Sequence, residues 1–158
     1  MASTRTVPDL TSYLKRAGHV LETQLHAALG EIGLTTRMQC VLSHALEGER
    51  TQIQLAELAY LDKTTMVVTV DALEQAGYAE RKASATDRRT RIIAVTEAGA
   101  KIAHESQAIV DRVHRETLAA LTAEERAPFV AALETLLNDR LATPVDAQPV
   151  RRARERTN

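Results

Sequence analysis

The stretch that most limits how this chain can fold runs from Asp62 to Gly99, DKTTMVVTVDALEQAGYAERKASATDRRTRIIAVTEAG. It reads as a helix, a glycine stop, a strand, a small polar loop, a second strand and the start of another helix. Met66, Val70 and Leu73 recur at i, i+4 and i+7, which is one face of an α-helix. The opposite face carries Thr64, Thr65, Val68 and Ala72, with Thr69 and Asp71 on its flanks. These side chains are short and several are hydroxylic, so the face can lie flat against another surface. Gly77 stands just past the last helical residue, where a left-handed cap is wanted. Strands are expected over 78–82 and 89–95, joined by the loop Ala83-Ser84-Ala85-Thr86-Asp87-Arg88.

The flanking segments add helices. Residues 9–29 set Leu10, Leu14, Ala17, Leu21, Leu25 and Ala28 on one stripe, an amphipathic helix of about five turns. A second helix, 36–46, turns Met38, Val41, Leu42 and Ala45 inward and is closed by Gly48. Thr51 and Gln54 fit a capping box, opening a short helix over 52–59 that is expected to bury Ile53, Leu55 and Leu58. Asp62 is a good N-cap for the helix after it. Two short helices joined by about three residues match a helix-turn-helix, whose second helix enters the major groove of DNA. Beyond the hairpin, Thr96 caps a long helix to about residue 120, with Ile102, Ile109, Val110, Val113, Leu118 and Leu121 apolar. A second capping box, Thr122 with Glu125, begins a last helix carrying Phe129, Val130, Leu133, Leu136, Leu137 and Leu141, which Pro144 ends.

Only 3% of the residues are aromatic, so the core must be aliphatic, which suits helices better than a sandwich. One cysteine rules out an intrachain disulfide framework. The polar N-terminus and the lack of any membrane-length apolar run predict no signal peptide, no transmembrane segment and cytoplasmic residence. The net charge of -1 hides an uneven distribution. Residues 79–92 hold Arg81, Lys82, Arg88, Arg89 and Arg91 against Glu80 and Asp87, and the tail 151–158 is also basic. Localised positive charge is what phosphate binding requires, and global charge is a poor guide to it.

The fold class expected is therefore mainly α with a small β-hairpin wing, a winged helix-turn-helix. Residues 35–96 form the DNA-binding domain, helices 9–34 and 97–141 the dimerisation region, and 1–8 and 142–158 flexible termini. The long outer helices need cover that the central unit cannot supply, and a two-fold dimer provides it while matching a near-palindromic site.

The order of elements, the run LAELAYLDKTTMVVTVDALEQAGYAERKASATDRRTRIIAVTEAG (Leu55–Gly99), the Asp87-Arg88-Arg89 wing tip and the Val95-Thr96-Glu97-Ala98-Gly99 exit resemble the MarR family of transcriptional regulators. The resemblance spans residues 9 to 141. It implies a homodimeric repressor, often released from its operator by a small phenolic or other aromatic ligand held between the dimer helices and the winged helix, and sometimes by oxidation. The chain departs at Val68, where the family often carries arginine, and at Gln39, where an aromatic residue is common.

The DNA-contacting set expected is Thr51, Gln52, Lys63, Thr64, Thr65, Val68, Thr69, Lys82, Asp87, Arg88, Arg89 and Arg91. Thr64 and Thr65 would bond phosphates or base edges near a helix N-terminus, where backbone N–H groups favour phosphate. Val68 and the Thr69 methyl would touch thymine methyl groups. Arg89 or Arg88 would enter the minor groove, oriented by a bidentate pair with Asp87. Arg81 is expected to touch phosphate or stay solvated, and Asp71, which phosphates would repel, to pair with a nearby basic side chain or sit off the interface. Cys40 and His44, at i and i+4, raise a redox alternative in which a protonated imidazole lowers the thiol pKa, and are also half of a metal site, against the plainer reading of a small half-buried cysteine; no metal is expected. His19 and His26 flank Glu22 on the first helix, by default in solvated salt bridges, with a place in the effector pocket that the resemblance implies as the alternative. No cofactor is expected, and no glycine-rich phosphate loop, HExxH or CxxC supports an enzyme. The competing class is a winged helix that docks proteins, which salt-dependent promoter binding would distinguish.

Overall fold

The structure, a computed structural model, describes residues 7–145. The expectations placed on 1–6 and 146–158, including the arginine tail, lie outside the described residues. The elements in order are α1 (Leu10–Gly30), α2 (Thr36–Leu46), α3 (Gln52–Leu58), α4 (Lys63–Gln75), β1 (Ala79–Ala83), β2 (Arg91–Val95), α5 (Glu97–Ala119) and α6 (Ala123–Asn138). This is the winged helix-turn-helix order expected, mostly helical with one antiparallel hairpin in which Ala79 pairs with Val95 and Ala83 with Arg91. The first strand is shifted by one residue and the second is shorter by two, so the connecting loop is 84–90. None of the helices among the described residues is long and apolar enough to cross a membrane.

The chain divides into two compact units, the first ending at Glu116 and the second starting at Thr117. In the first, Leu29, Leu34, Val41, Leu42, Leu55, Met66, Val70 and Leu73 are almost wholly buried, each worth about 1.5–3 kcal/mol of hydrophobic stabilisation. Ala103 and Val110 of α5 belong to the same cluster. The core thus draws on both sides of the boundaries expected near 34 and 97. Two expected core residues lie elsewhere: Ile53 is 64% exposed and Leu58 is also on the surface, because the seven-residue α3 buries Leu55 and Ala56 instead. Along α1, Leu10 and Leu14 are exposed, and only the C-terminal part reaches the core, through buried Leu29 and partly buried Leu25. In the second unit no residue of α6 is buried, and Phe129, Val130 and Leu137 stand exposed. That helix ends at Asn138, before Pro144, so Leu141 falls in the turn that follows.

Side-chain caps delimit the helices. Thr35 Oγ1 accepts from Met38 N at 3.1 Å, Thr51 and Gln54 close a reciprocal box, and Thr122 donates through its N–H and hydroxyl to Glu125. The ends of α3 and α4 share one geometry, in which the second residue past the cap bonds back to the third carbonyl from the end: Leu61 N to Ala56 O, and Tyr78 N to Leu73 O, both 2.9 Å. This motif puts the residue between in the left-handed region. After α4 that residue is Gly77, at φ 73°, but after α3 it is Tyr60, at φ 52°.

A bulky residue there costs roughly 1–2 kcal/mol, and the Tyr60 ring, 95% exposed, recovers little of it by burial. Tyr60→Gly is therefore expected to raise the melting temperature by about 2–4 °C, the relieved strain exceeding the extra entropy that glycine gives the unfolded chain. A calorimetric melting point at or below that of the parent would contradict this.

Candidate nucleic-acid interface

The outward side of α4 is built from its first turn. Asp62 caps it by accepting Thr65 N at 2.9 Å and the Thr65 hydroxyl at 2.6 Å. Those bonds hold the Asp62 carboxyl below its ordinary range, the hydroxyl contributing most. The positive end of the helix is thus already engaged by a carboxylate, and both donors of Thr65, expected to bond phosphates or base edges, are spent on it. Thr69 is also corrected: it is 6% exposed and its hydroxyl donates to Thr65 O at 2.7 Å, so its methyl is not presented outward. Lys63, Thr64 and Val68 are exposed, Val68 by 64%, and Val67 joins them at 42%. Val67 lies outside the expected set, because its helical position falls between the apolar stripe and the small-residue face.

Arg81 is the tie that joins these elements. Its guanidinium bonds Asp71 Oδ1 at 2.7 Å and Glu74 Oε2, and reaches Gln52 Oε1 at 3.4 Å; its N–H donates to Glu74 Oε1 at 2.8 Å. Asp71 finds the basic partner expected of it. Arg81 itself is neutralised instead of facing phosphate, so the hairpin's usable positive charge is smaller than the sequence count. Gln52 is committed to this cluster and Thr51 to its own cap, each half-buried rather than freely presented. The cluster brings the start of α3, the flank of α4 and strand β1 to one point.

The wing tip differs from expectation in one respect. Asp87 does not pair with an arginine side chain. Its Oδ1 accepts the backbone N–H of Arg89 at 3.0 Å and its Oδ2 the Thr90 hydroxyl at 2.8 Å. These bonds, the backbone one foremost, keep its carboxyl below the usual range. Asp87 shapes the loop, and the side chains of Arg88, Arg89 and Arg91 are exposed with no partner among the described residues. Lys82 is exposed and lies 3.6 Å from Glu80, a surface pair of little energetic weight.

A cleft of about 440 Å³ opens behind this surface. It is lined by His19, Glu22, Thr23 and His26 of α1, by the Thr35–Met38 segment, and by Val68, Thr69 and Ala72 of α4. Glu22 accepts the Thr36 hydroxyl at 2.6 Å, fixing α1 against the start of α2. The histidines therefore border a concave site, the alternative to solvated salt bridges. Gln39 is occupied with Ser43 at 2.9 Å and Gln107 at 3.3 Å. The surroundings of Cys40 run against the redox alternative: burial first, then the Glu22 charge, push its thiol pKa up, which favours the unreactive neutral form.

Sequence reasoning missed Glu49 and Ser84, which meet across the fold near the wing. No local pattern marks them, since they are 35 residues apart.

Comparison with known proteins bears on this surface. A profile of the MarR family matches residues 33–90, which contain α2 to the wing tip. CouR from Rhodococcus jostii RHA1, solved bound to p-coumaroyl-CoA, is 28% identical with a TM-score of 0.78 over 92% of this chain and 100% of that one. The MarR family protein Rv2887 of Mycobacterium tuberculosis, solved with salicylic acid, is 30% identical with a TM-score of 0.71, covering 83% of this chain and 98% of that one. Wild-type MarR from E. coli, in its apo form, is 25% identical with a TM-score of 0.69 over 87% and 99%.

Proposed function

The chain belongs to the MarR family of transcriptional regulators, and we propose that it acts in the cytoplasm as a homodimeric repressor of a pseudo-palindromic operator, relieved by a small aromatic effector. Each protomer sets the outward side of α4 in a major groove and the wing in the adjoining minor groove. Lys63, Thr64, Val67, Val68, Lys82, Arg88, Arg89 and Arg91 form the contact surface. The observation that carries this reading is the wing tip, where Arg88 and Arg89 stand exposed on a loop held by Asp87 from within and by Glu49 from the turn before α3. Arginine on a short, small-residue loop suits a narrow minor groove, whose negative potential attracts it.

The homodimer covers the apolar faces that each protomer leaves open on α1 and α6. Burial of Leu10, Leu14, Phe129 and Leu137 against a second copy stabilises both chains and fixes the half-site spacing. The effector occupies the cleft between α1, the start of α2 and α4. His19, His26 and Arg37 offer it polar partners, and Met38, Val68 and Ala72 an apolar wall. The p-coumaroyl-CoA of CouR and the salicylic acid of Rv2887 support an aromatic ligand class. Because Val68 and Ala72 belong to α4, an occupied cleft biases the helix that reads DNA, and the coupling is reciprocal.

Selection of bound fragments from a genomic pool tests the central claim. Enrichment of a near-palindrome with half-sites one helical turn apart, bound more weakly as salt rises, is expected. No enrichment, or binding indifferent to salt, would replace it with a winged helix that docks proteins. A thermal-shift screen with salicylate and related phenolic acids then addresses the cleft.

A further inference from the structure

The turn between α2 and α3 carries a carboxylate that no helix cap requires. Glu49 Oε2 accepts the Ser84 hydroxyl at 2.6 Å, and its Oε1 accepts Ala85 N at 3.2 Å. Ser84 is buried, and its oxygen accepts in turn from Thr86 N at 3.1 Å and Asp87 N at 3.4 Å. Asp87 passes the chain on to Arg89 N and the Thr90 hydroxyl. Beside Glu49, the carbonyl of Arg50 accepts Ile93 N at 3.0 Å, so the turn grips the hairpin twice. A relay of hydrogen bonds thus leads from Glu49 through Ser84 and Asp87 to the backbone N–H of Arg89.

We propose that Glu49 is a positioning residue for DNA binding, holding the wing loop in the conformation that presents Arg88 and Arg89. This rests on the reading of the wing as a DNA contact. A loop free to sample conformations must be ordered when DNA binds, and that entropy is subtracted from affinity. A loop already ordered by Glu49 avoids the loss. The carboxylate also repels phosphate, which opposes the effect, but at an exposed site this repulsion is screened by salt. Its carboxyl is held below the ordinary range by the Ser84 hydroxyl, then the Ala85 N–H, with Lys82 adding to both, so it is charged at neutral pH.

The test compares Glu49→Ala, Ser84→Ala, their double variant, Glu49→Gln and Arg89→Ala in salt-dependent mobility-shift titrations, with amide exchange on the free proteins. Glu49→Ala is expected to weaken DNA binding about tenfold, through loop ordering alone. The double variant should bind no more weakly than either single one, because both act on the same link. Exchange at Ala85, Thr86 and Asp87 should quicken, while the slope of affinity against salt stays that of the parent, since no phosphate contact is lost. Glu49→Gln, which keeps the shape and one acceptor, should fall between parent and Glu49→Ala even if Ser84→Ala folds poorly. Binding by Glu49→Ala as tight as the parent's, or a salt slope shallower by about one, overturns the positioning role while leaving the wing reading standing, provided Arg89→Ala is impaired. If Arg89→Ala also binds normally, the wing reading itself fails and this inference goes with it.

Discussion

Replacing Gly99 by alanine is expected to lower the melting temperature by about 10 °C or more, a loss of about 3 kcal/mol or above. A Cβ at this position would stand 1.9 Å from Tyr78 O and 2.8 Å from Val95 Cγ1. Tyr78 O cannot retreat, because it accepts Thr96 N at 3.1 Å. Thr96 closes the same knot: its hydroxyl donates to Gly77 O at 2.7 Å and accepts Gly99 N at 3.0 Å, capping α5 against the turn that ends α4. Two effects of opposite sign compete. Alanine favours a helix over glycine by at most about 1 kcal/mol, and less in a first turn. A clash with a hydrogen-bonded carbonyl cannot be relieved by rotating a side chain, so the clash wins. Thermal unfolding checks this, and a variant as stable as the parent would mean that α5 does not dock this tightly. The Thr96-Glu97-Ala98-Gly99 exit is thereby a packing device, with threonine for the cap and glycine for the approach of two backbones.

The other large effect is on DNA. Arg89→Ala is expected to weaken operator binding about tenfold or more, at least about 1.4 kcal/mol, the scale of a lost groove contact by arginine. The proposed dimer should be untouched, since residue 89 lies on the exposed loop and not on α1 or α6, where that reading places the interface. Asp87 bonds the backbone of Arg89 and leaves the guanidinium free, so removing the side chain should not disturb the loop. Sedimentation and a mobility-shift titration on the same preparation decide the matter: normal affinity would exclude Arg89 from the interface, and dissociated dimers would show that the effect is indirect.

What could be read in the sequence was mostly local. Thr51 with Gln54, Asp62, Thr96, Thr122 with Glu125, and Gly77 were legible because a cap needs a given residue type within three or four positions of a helix end. The core stripe of α4 was legible for the same kind of reason, a fixed period. The candidate surface was legible in outline, and its errors share one cause. Arg81 reads as a spare cation until Asp71, Glu74 and Gln52 are seen to converge on it from α4 and α3. Thr69 reads as a flank residue until its neighbours close over it, and Asp87 reads as an arginine's partner until the loop backbone claims both its oxygens. Each outcome is set by tertiary contacts that no short window contains. Ile53 and Leu58 show the converse, since periodicity says where an apolar face points but not whether anything covers it.

The position of Val68 has a consequence for engineering and for evolution. The same side chain walls the cleft and stands on the outward side of α4. On the proposed reading, one substitution there alters what the regulator senses and where it sits on a genome. Ligand response and target choice cannot drift independently through this position. His19, Thr23 and His26, which line the cleft from α1, carry no such double duty. A library aimed at a new sensor should vary those three and leave Val68 alone, whereas one aimed at new operators should expect its winners to have altered inducer responses as well.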